Sequence, residues 1–173
     1  MTILFESDRL YFTKLSIDDF EYFCEMDLDP KVMKFYTSRP HGTIEAAQES
    51  FQRYIDYQVS FPRLGGFLAF NKQTNEFVGL GVLIHLELNP LNNQYEVGYR
   101  LPVRSWNQGY ATEMCKRLIT YGFLVLGFEE IHGTTHPDHK ISQKVLLKCG
   151  LKEIGSSSNY GGSTVFCIQR DCS

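Results

Sequence analysis

Apolar residues recur along this chain with two different periods, and the changes of period mark its elements. Arg9 to Leu15 reads as a first strand. Ser16 is placed to cap a helix through Phe20, Phe23 and Cys24, with Asp18 and Asp19 favourably near its positive end. Asp29-Pro30 interrupts that helix, because a residue before proline avoids helical angles. Thr43 is the expected cap of a second helix, in which Ile44, Ala47, Phe51, Tyr54 and Ile55 recur at helical spacing until Pro62–Gly66 ends it.

Three strand patterns follow in succession, Phe67–Phe70, Phe77–Leu86 and Tyr95–Leu101. The turn-rich segments Asn71–Glu76 and Asn89–Asn93 separate them, which predicts an antiparallel meander. Ala111–Leu126 then reads as a helix whose Ala111, Met114, Cys115, Leu118, Ile119, Gly122, Val125 and Leu126 share one face. A strand at Ile131–Thr135 and a helix from Lys140 to Cys149, stopped by Gly150, come next. Strands at Leu151–Ser156 and Thr164–Gln169 close the chain around the loop Ser157–Gly162. No repeat or linker breaks the pattern, so residues 1–173 are expected to form one α+β domain.

The most informative stretch is Trp106-Asn107-Gln108-Gly109-Tyr110-Ala111-Thr112-Glu113, which joins a strand to a helix through a glycine turn. The first N–H groups of a helix lack partners inside it and sit at the positive end of its dipole. Such a place holds an anion, and glycine, having no Cβ, lets a ligand approach the backbone. A phosphorylated cofactor fits this stretch better than a protein partner does.

Composition narrows the classes. The chain has 173 residues, 43% of them hydrophobic and 21% charged, the balance of a soluble globular domain. A net charge of −3 gives no electrostatic reason to expect nucleic acid. No apolar run approaches a membrane span, and the N-terminal residues lack a basic region followed by an apolar stretch, so no signal peptide is expected. Cys24, Cys115, Cys149, Cys167 and Cys172 are odd in number and scattered, which predicts reduced thiols and a cytoplasmic setting.

At Gly109-Tyr110-Ala111-Thr112-Glu113 the chain resembles the GNAT superfamily of acyl-CoA-dependent N-acyltransferases, within it the branch of ribosomal-protein-alanine N-acetyltransferases. Four segments carry the resemblance in order across nearly the whole chain. They are Ser7–Leu10 with Leu28–Met33, Glu96–Tyr99, Trp106–Glu113, and His136–Asp138 with Ser142, Val145-Leu146 and Lys148–Leu151. The resemblance implies a mixed, mostly antiparallel central sheet that splays open, flanked by helices, with acetyl-CoA lying in the split. The strand ending at Leu101 and the following Val103 would meet the pantetheine arm. Asn107, Gln108, Gly109, Tyr110, Ala111 and Thr112 would hold the pyrophosphate, and His139 would face the pantetheine arm. The chain departs from the family's pattern at Trp106 (Arg or Gln in the superfamily), at Asn107 (often Gly in the branch) and at His139 (usually Asn in the branch). It also departs at Leu146, where many members carry a tyrosine that acts as acid for the leaving thiol. Asn tolerates left-handed backbone angles, so the turn is expected to survive at 107. Ser142, one turn before Leu146, is then the partner implied for the sulfur.

Acetyl transfer to an amine needs a neutral nitrogen, a polarised carbonyl and a stabilised thiolate. Lysine amines titrate near ~10.4 and α-amines near ~7.7–8.0, so a base helps either. Glu96 is the first candidate, directly or through water, although a strand carboxylate pairing with Arg100 on the same face is an equal alternative. Backbone N–H near Tyr99 would polarise the carbonyl oxygen. His85 and Glu87 share a strand face and could line the acceptor site or supply another base. His132, His136, Asp138 and His139 are the right types for a metal, but four strand residues span roughly 13 Å, so they are not taken as a metal site. Trp106 is expected in the core.

The expected activity is transfer of an acetyl group from acetyl-CoA to a primary amine, a protein N-terminus or a small molecule, in a monomer or homodimer. The alternative is a non-catalytic CoA or acyl-CoA sensor, or an interaction module, with the same fold. The acceptor site is expected between the two N-terminal helices, the loop Thr37–Gly42 and the Ser157–Gly162 hairpin. Arg39, His41 and Arg63 there would favour an acidic acceptor.

Overall fold

A computed structural model describes residues 2–36, 41–86, 89, 91, 93–158 and 162–170. Among these residues eight strands form one sheet in the order β1-β2-β3-β4-β5-β6-β8-β7. They are β1 (Ile3–Glu6), β2 (Leu10–Lys14), β3 (Gly65–Asn71), β4 (Phe77–His85), β5 (Tyr95–Arg100), β6 (Glu130–Thr135), β7 (Lys152–Ser157) and β8 (Ser163–Gln169). Among the described residues five helices flank it: α1 (Phe20–Asp27), α2 (Pro30–Met33), α3 (Ile44–Ser60), α4 (Tyr110–Leu124) and α5 (Lys140–Lys148). The expected meander is β3-β4-β5, antiparallel throughout, and β4 is buried along nearly its whole length on both faces. One core lies between the sheet and α4 and α5, built from residues such as Leu83, Val97, Met114, Leu118 and Leu146. A second lies on the opposite face under α1–α3, with Phe23, Met26, Met33, Phe51 and Leu80.

Several sequence expectations need correcting. β1 was not foreseen, because only Phe5 of its four residues is buried and so no alternation announces it. Ser16 stands before a 3-10 turn, Ile17–Asp19, where its N–H (2.7 Å) and hydroxyl (2.8 Å) both donate to the Asp19 carboxylate, and α1 starts only at Phe20. Asp29-Pro30 ends one helix and opens another: the Asp29 carboxylate accepts from Lys31 N–H, and Pro30 needs no hydrogen-bond partner at a first helical position. Thr43 caps α3 as expected, but Ile44 is 58% exposed and so does not belong to the apolar face of that helix. α4 ends at Leu124, leaving Val125 half exposed. Cys115 and Cys149 are buried free thiols, Cys24 and Cys167 are free and partly buried, and Cys172 lies outside the described residues. Among the described residues no helix is long and apolar enough to cross a membrane.

The sheet is antiparallel except at one junction. β5 and β6 run parallel, joined through the turn and α4, and their ladder registers at the single pair Glu96↔His132. β5 is meanwhile paired with β4 along its full length. Beyond Glu96 the edge of β5 that faces β6 is therefore open, at the carboxyl ends of two parallel strands. Ligands of open sheets characteristically bind at such ends.

Candidate active site

The gap between β5 and β6 is a cavity of about 250 Å³. Glu96, Gly98, Tyr99 and Arg100 of β5 form one wall, and Thr134, Thr135, His136, His139 and Ser142 form the other. Phe35, Tyr36 and Tyr54 close it on the α1–α3 side, and Leu146 lies against its floor.

Glu96 is partly buried and accepts a hydrogen bond from the Thr134 hydroxyl across the gap. The alternative of a Glu96–Arg100 pair is not what forms. Arg100 points the same way but pairs with Asp27 at the end of α1, both side chains being buried. Ser142 lies on the first turn of α5, where the Tyr99 hydroxyl is 3.0 Å from its Oγ and 3.1 Å from its main-chain oxygen. Burial, more than any charge, raises the Tyr99 phenol far above its ordinary range. His139 caps α5 and stacks on Phe35 with ring centres 4.2 Å apart. Burial first, then the charges of His136 and Lys34, lower its pKa, so it is neutral at neutral pH.

At the other end of the cleft stands the predicted turn. Asn107 (φ 60°) and Gly109 (φ 79°) are both left-handed, the conformation that asparagine tolerates and glycine adopts freely. No side chain caps α4, whose first N–H groups, at Tyr110, Ala111 and Thr112, begin directly after Gly109. Gln108 Nε2 donates to Arg104 O at 2.8 Å, turning its amide back onto the preceding 3-10 turn, Val103–Ser105. Leu101 is buried, and its carbonyl already accepts the Trp106 indole N–H at 2.9 Å. Trp106 itself is 40% exposed, so it braces the turn rather than filling the core.

Arg9 is the part of this end that sequence reasoning left without a role. Its Nε donates to Glu113 Oε2 at 2.7 Å, its main-chain N–H to Glu113 Oε1 at 2.7 Å, and its Nη1 to Gln108 O at 2.9 Å. The guanidinium also covers the Tyr110 ring, 4.4 Å from its centre. Burial works against ionisation of Glu113, but the Arg9 N–H, the Ser7 hydroxyl and the Arg9 charge outweigh it and hold the carboxyl below its ordinary pKa. No local pattern announces a contact across about a hundred residues.

Other expected groups lie elsewhere. His85 is on the face of β4 opposite Glu96; its Nδ1 is 2.7 Å from the Tyr57 hydroxyl and its ring lies among Phe61 and Tyr95. Glu87 and Arg39 lie outside the described residues. Arg63 donates to Val125 O at 2.7 Å, pinning the far end of α4, and His41 is exposed and not part of the cavity wall. Arg63 and His41 are thus not brought to the cleft, and the expectation of an acidic acceptor rests on Arg39, outside the described residues. The four-residue metal candidate divides: His132 bonds Glu130 at 3.0 Å inside the sheet, while His136 and His139 face the cleft. A different trio, Glu130, His132 and Cys167, shares one face of β6 and β8 with ligand atoms within 4.8 Å; it was missed because Cys167 arrives from a distant strand.

The model of the acetyltransferase (GNAT) domain matches residues 9–152. This chain belongs to the GNAT acetyltransferase family. A relative from Aspergillus fumigatus, FsC-acetyl coenzyme A-N(2)-transacetylase, is 30% identical over 156 residues, 87% of this acetyltransferase and 66% of the relative. A GNAT-family acetyltransferase from Bacillus anthracis superposes with a TM-score of 0.79 at 23% identity, over 98% of both chains. The ribosomal-protein-S5-alanine acetyltransferase from Vibrio fischeri superposes with a TM-score of 0.75 at 15% identity, over 97% of both. Both structures show the fold of this acetyltransferase: an open, mostly antiparallel sheet parted at β5 and β6.

Proposed function

We propose that this GNAT acetyltransferase moves the acetyl group of acetyl-CoA to a primary amine, by direct attack with both substrates bound. The observation that carries it is the pair Glu96 and Ser142, a carboxylate and a hydroxyl on opposite walls of one cleft. The open edge of β5 beyond Glu96 suits an extended pantetheine arm, since a free strand edge pairs with extended chains. His139, neutral and stacked, offers that arm a hydrogen-bonding ring. The uncapped N–H groups of Tyr110, Ala111 and Thr112, with Asn107, Gln108 and Gly109 shaping the turn, suit a pyrophosphate. Leu101 and Val103, which lead from β5 into the turn, are assigned to the pantetheine arm, and the Leu101 carbonyl also accepts the Trp106 indole N–H that braces the turn.

Glu96 takes the proton of the attacking amine, directly or through water, while Thr134 fixes the carboxylate. Main-chain N–H near Tyr99 polarises the acetyl oxygen, and Ser142 meets the departing sulfur. The acceptor is a protein N-terminus or a small amine lying against Phe35, Tyr36 and Tyr54. The Aspergillus relative, by its name an acetyl-coenzyme A N(2)-transacetylase, supports an amine nitrogen as acceptor.

Calorimetric titration with acetyl-CoA, desulfo-CoA and ATP tests the cofactor site, and thiol release with a panel of amines tests transfer. Micromolar binding of acetyl-CoA, weak binding of ATP, loss of binding in Gly109→Leu and thiol release with at least one amine are expected. Equal binding of CoA and acetyl-CoA with no turnover on any amine overturns the enzyme in favour of a CoA sensor.

A further inference from the structure

Tyr99 and Ser142 join the two walls of the cleft through their hydroxyls. Tyr99 leaves β5 on the α4–α5 face and crosses to the first turn of α5. Building on the transferase proposal above, we infer that Tyr99 is a positioning residue for the leaving sulfur: its O–H donates to Ser142 Oγ and so frees the serine hydrogen for the CoA thiolate.

Hydrogen counting carries the inference. A phenol has one hydrogen, and two Ser142 acceptors lie within its reach, Oγ at 3.0 Å and the main-chain oxygen at 3.1 Å. If the phenol donates to the carbonyl, the serine hydroxyl is left to donate to the phenol oxygen, and nothing points at sulfur. If the phenol donates to Oγ, the serine hydrogen turns into the cleft. A negative sulfur selects the second arrangement, because hydrogen bonds to ions are roughly twice as strong as neutral ones. Without the phenol, a serine on a helix falls back on bonds to its own backbone.

The reaction balances without a proton from Tyr99. The amine nitrogen bonds to the acetyl carbon, the carbon–sulfur bond breaks, and sulfur leaves with the electron pair as thiolate. The amine's proton goes to Glu96. Burial first, then the neighbouring Cys115 and Cys149, make loss of the phenol proton costly, so Tyr99 keeps it and orients Ser142. Leu146, buried at 2% exposure, brings no hydroxyl to the cleft.

The test uses CoA itself and needs no acceptor. The thiolate absorbance of the CoA complex, taken as a difference from the desulfo-CoA complex, gives the pKa of the bound thiol. In the unaltered protein that pKa lies below the value for free CoA. Tyr99→Phe and Ser142→Ala each raise it by about one unit, a tenfold change in thiolate fraction, as expected for one bond to an ion. The double variant equals either single one, and Ser142→Thr, which keeps a hydroxyl, stays near the unaltered protein. An unchanged thiol pKa in Tyr99→Phe, with the CoA affinity and melting temperature of the unaltered protein, overturns the role of Tyr99. Additive effects in the double variant overturn the coupling. Failure of the unaltered protein to bind CoA overturns the transferase proposal instead, and is seen before any variant is made.

Discussion

Arg100 on β5 and Asp27 at the end of α1 form an ion pair directly behind the cleft, with side chains only 5% and 0% exposed. The guanidinium also lies 4.6 Å from the Phe23 ring centre, 5.5 Å from that of Tyr36 and 3.2 Å from Met33 Sδ. This pair ties the α1–α2 segment to the strand that carries Glu96 and leaves Glu96 to Thr134. Removing one member strands a buried charge, so Asp27→Ala is expected to cost about 3–5 kcal/mol of stability. The double change Asp27→Leu with Arg100→Met should recover most of that loss. Urea unfolding measures both; a loss under about 1 kcal/mol for Asp27→Ala is what an exposed pair gives and contradicts the buried role.

Glu96→Gln keeps the shape and the Thr134 contact but removes the base. Turnover should fall by about 10² to 10⁴, the usual contribution of general base catalysis, while the KM for acetyl-CoA stays within a few-fold. The rise of kcat/KM on the acid side should vanish in the variant. Steady-state kinetics across pH decides this, and a variant that keeps both turnover and pH profile rules Glu96 out.

Arg9 and Glu113 hold the anion turn from outside. Arg9→Ala frees the Gln108 carbonyl and removes the cation paired with Glu113, whose carboxylate keeps the Ser7 hydroxyl and the main-chain N–H of residue 9 but then faces the proposed pyrophosphate as a net negative charge. Acetyl-CoA affinity should drop by about tenfold, near 1.4 kcal/mol. Adding Glu113→Gln should restore part of it, because the negative charge is gone. Calorimetry on the two variants reads this directly, and an unchanged dissociation constant in Arg9→Ala excludes the bracing role.

The depressed pKa of His139 makes stability depend on pH in a definite direction. The unfolded chain has the ordinary value of 6.5 and the folded one a lower value, owing to burial and the neighbouring His136 and Lys34 charges. Above 6.5 both states are neutral at this residue and stability is full; as pH falls through 6.5 toward the folded value, the unfolded state binds the proton first and stability declines. His139→Asn should flatten the decline in melting temperature between neutral pH and about pH 5, the range where an ordinary histidine titrates. A slope identical to that of the unaltered protein places the pH sensitivity on another group.

Apart from β1 and the short helix α2, the order of elements, the antiparallel meander, the left-handed turn at Asn107 and Gly109 and the helix after it were determined by local sequence. Apolar period, proline and glycine act within a few residues, so they are visible in the chain itself. Glu96 could be named from its place on an alternating strand, whereas Ser142 and His139 were named through the family resemblance that their short motifs carry. β1 buries too little to write a strong pattern, whereas the exposed edge strand β7 was still legible after the helix-ending Gly150. The partners were decided by tertiary structure alone. Arg100 turned to Asp27 rather than Glu96, His85 to Tyr57, Arg63 to Val125, and Tyr99 to Ser142. A strand's alternation says which side of the sheet a group faces, but its bonding partner comes from whichever distant element packs there. In this protein that depends on where β5 and β6 part and which helices cover each face.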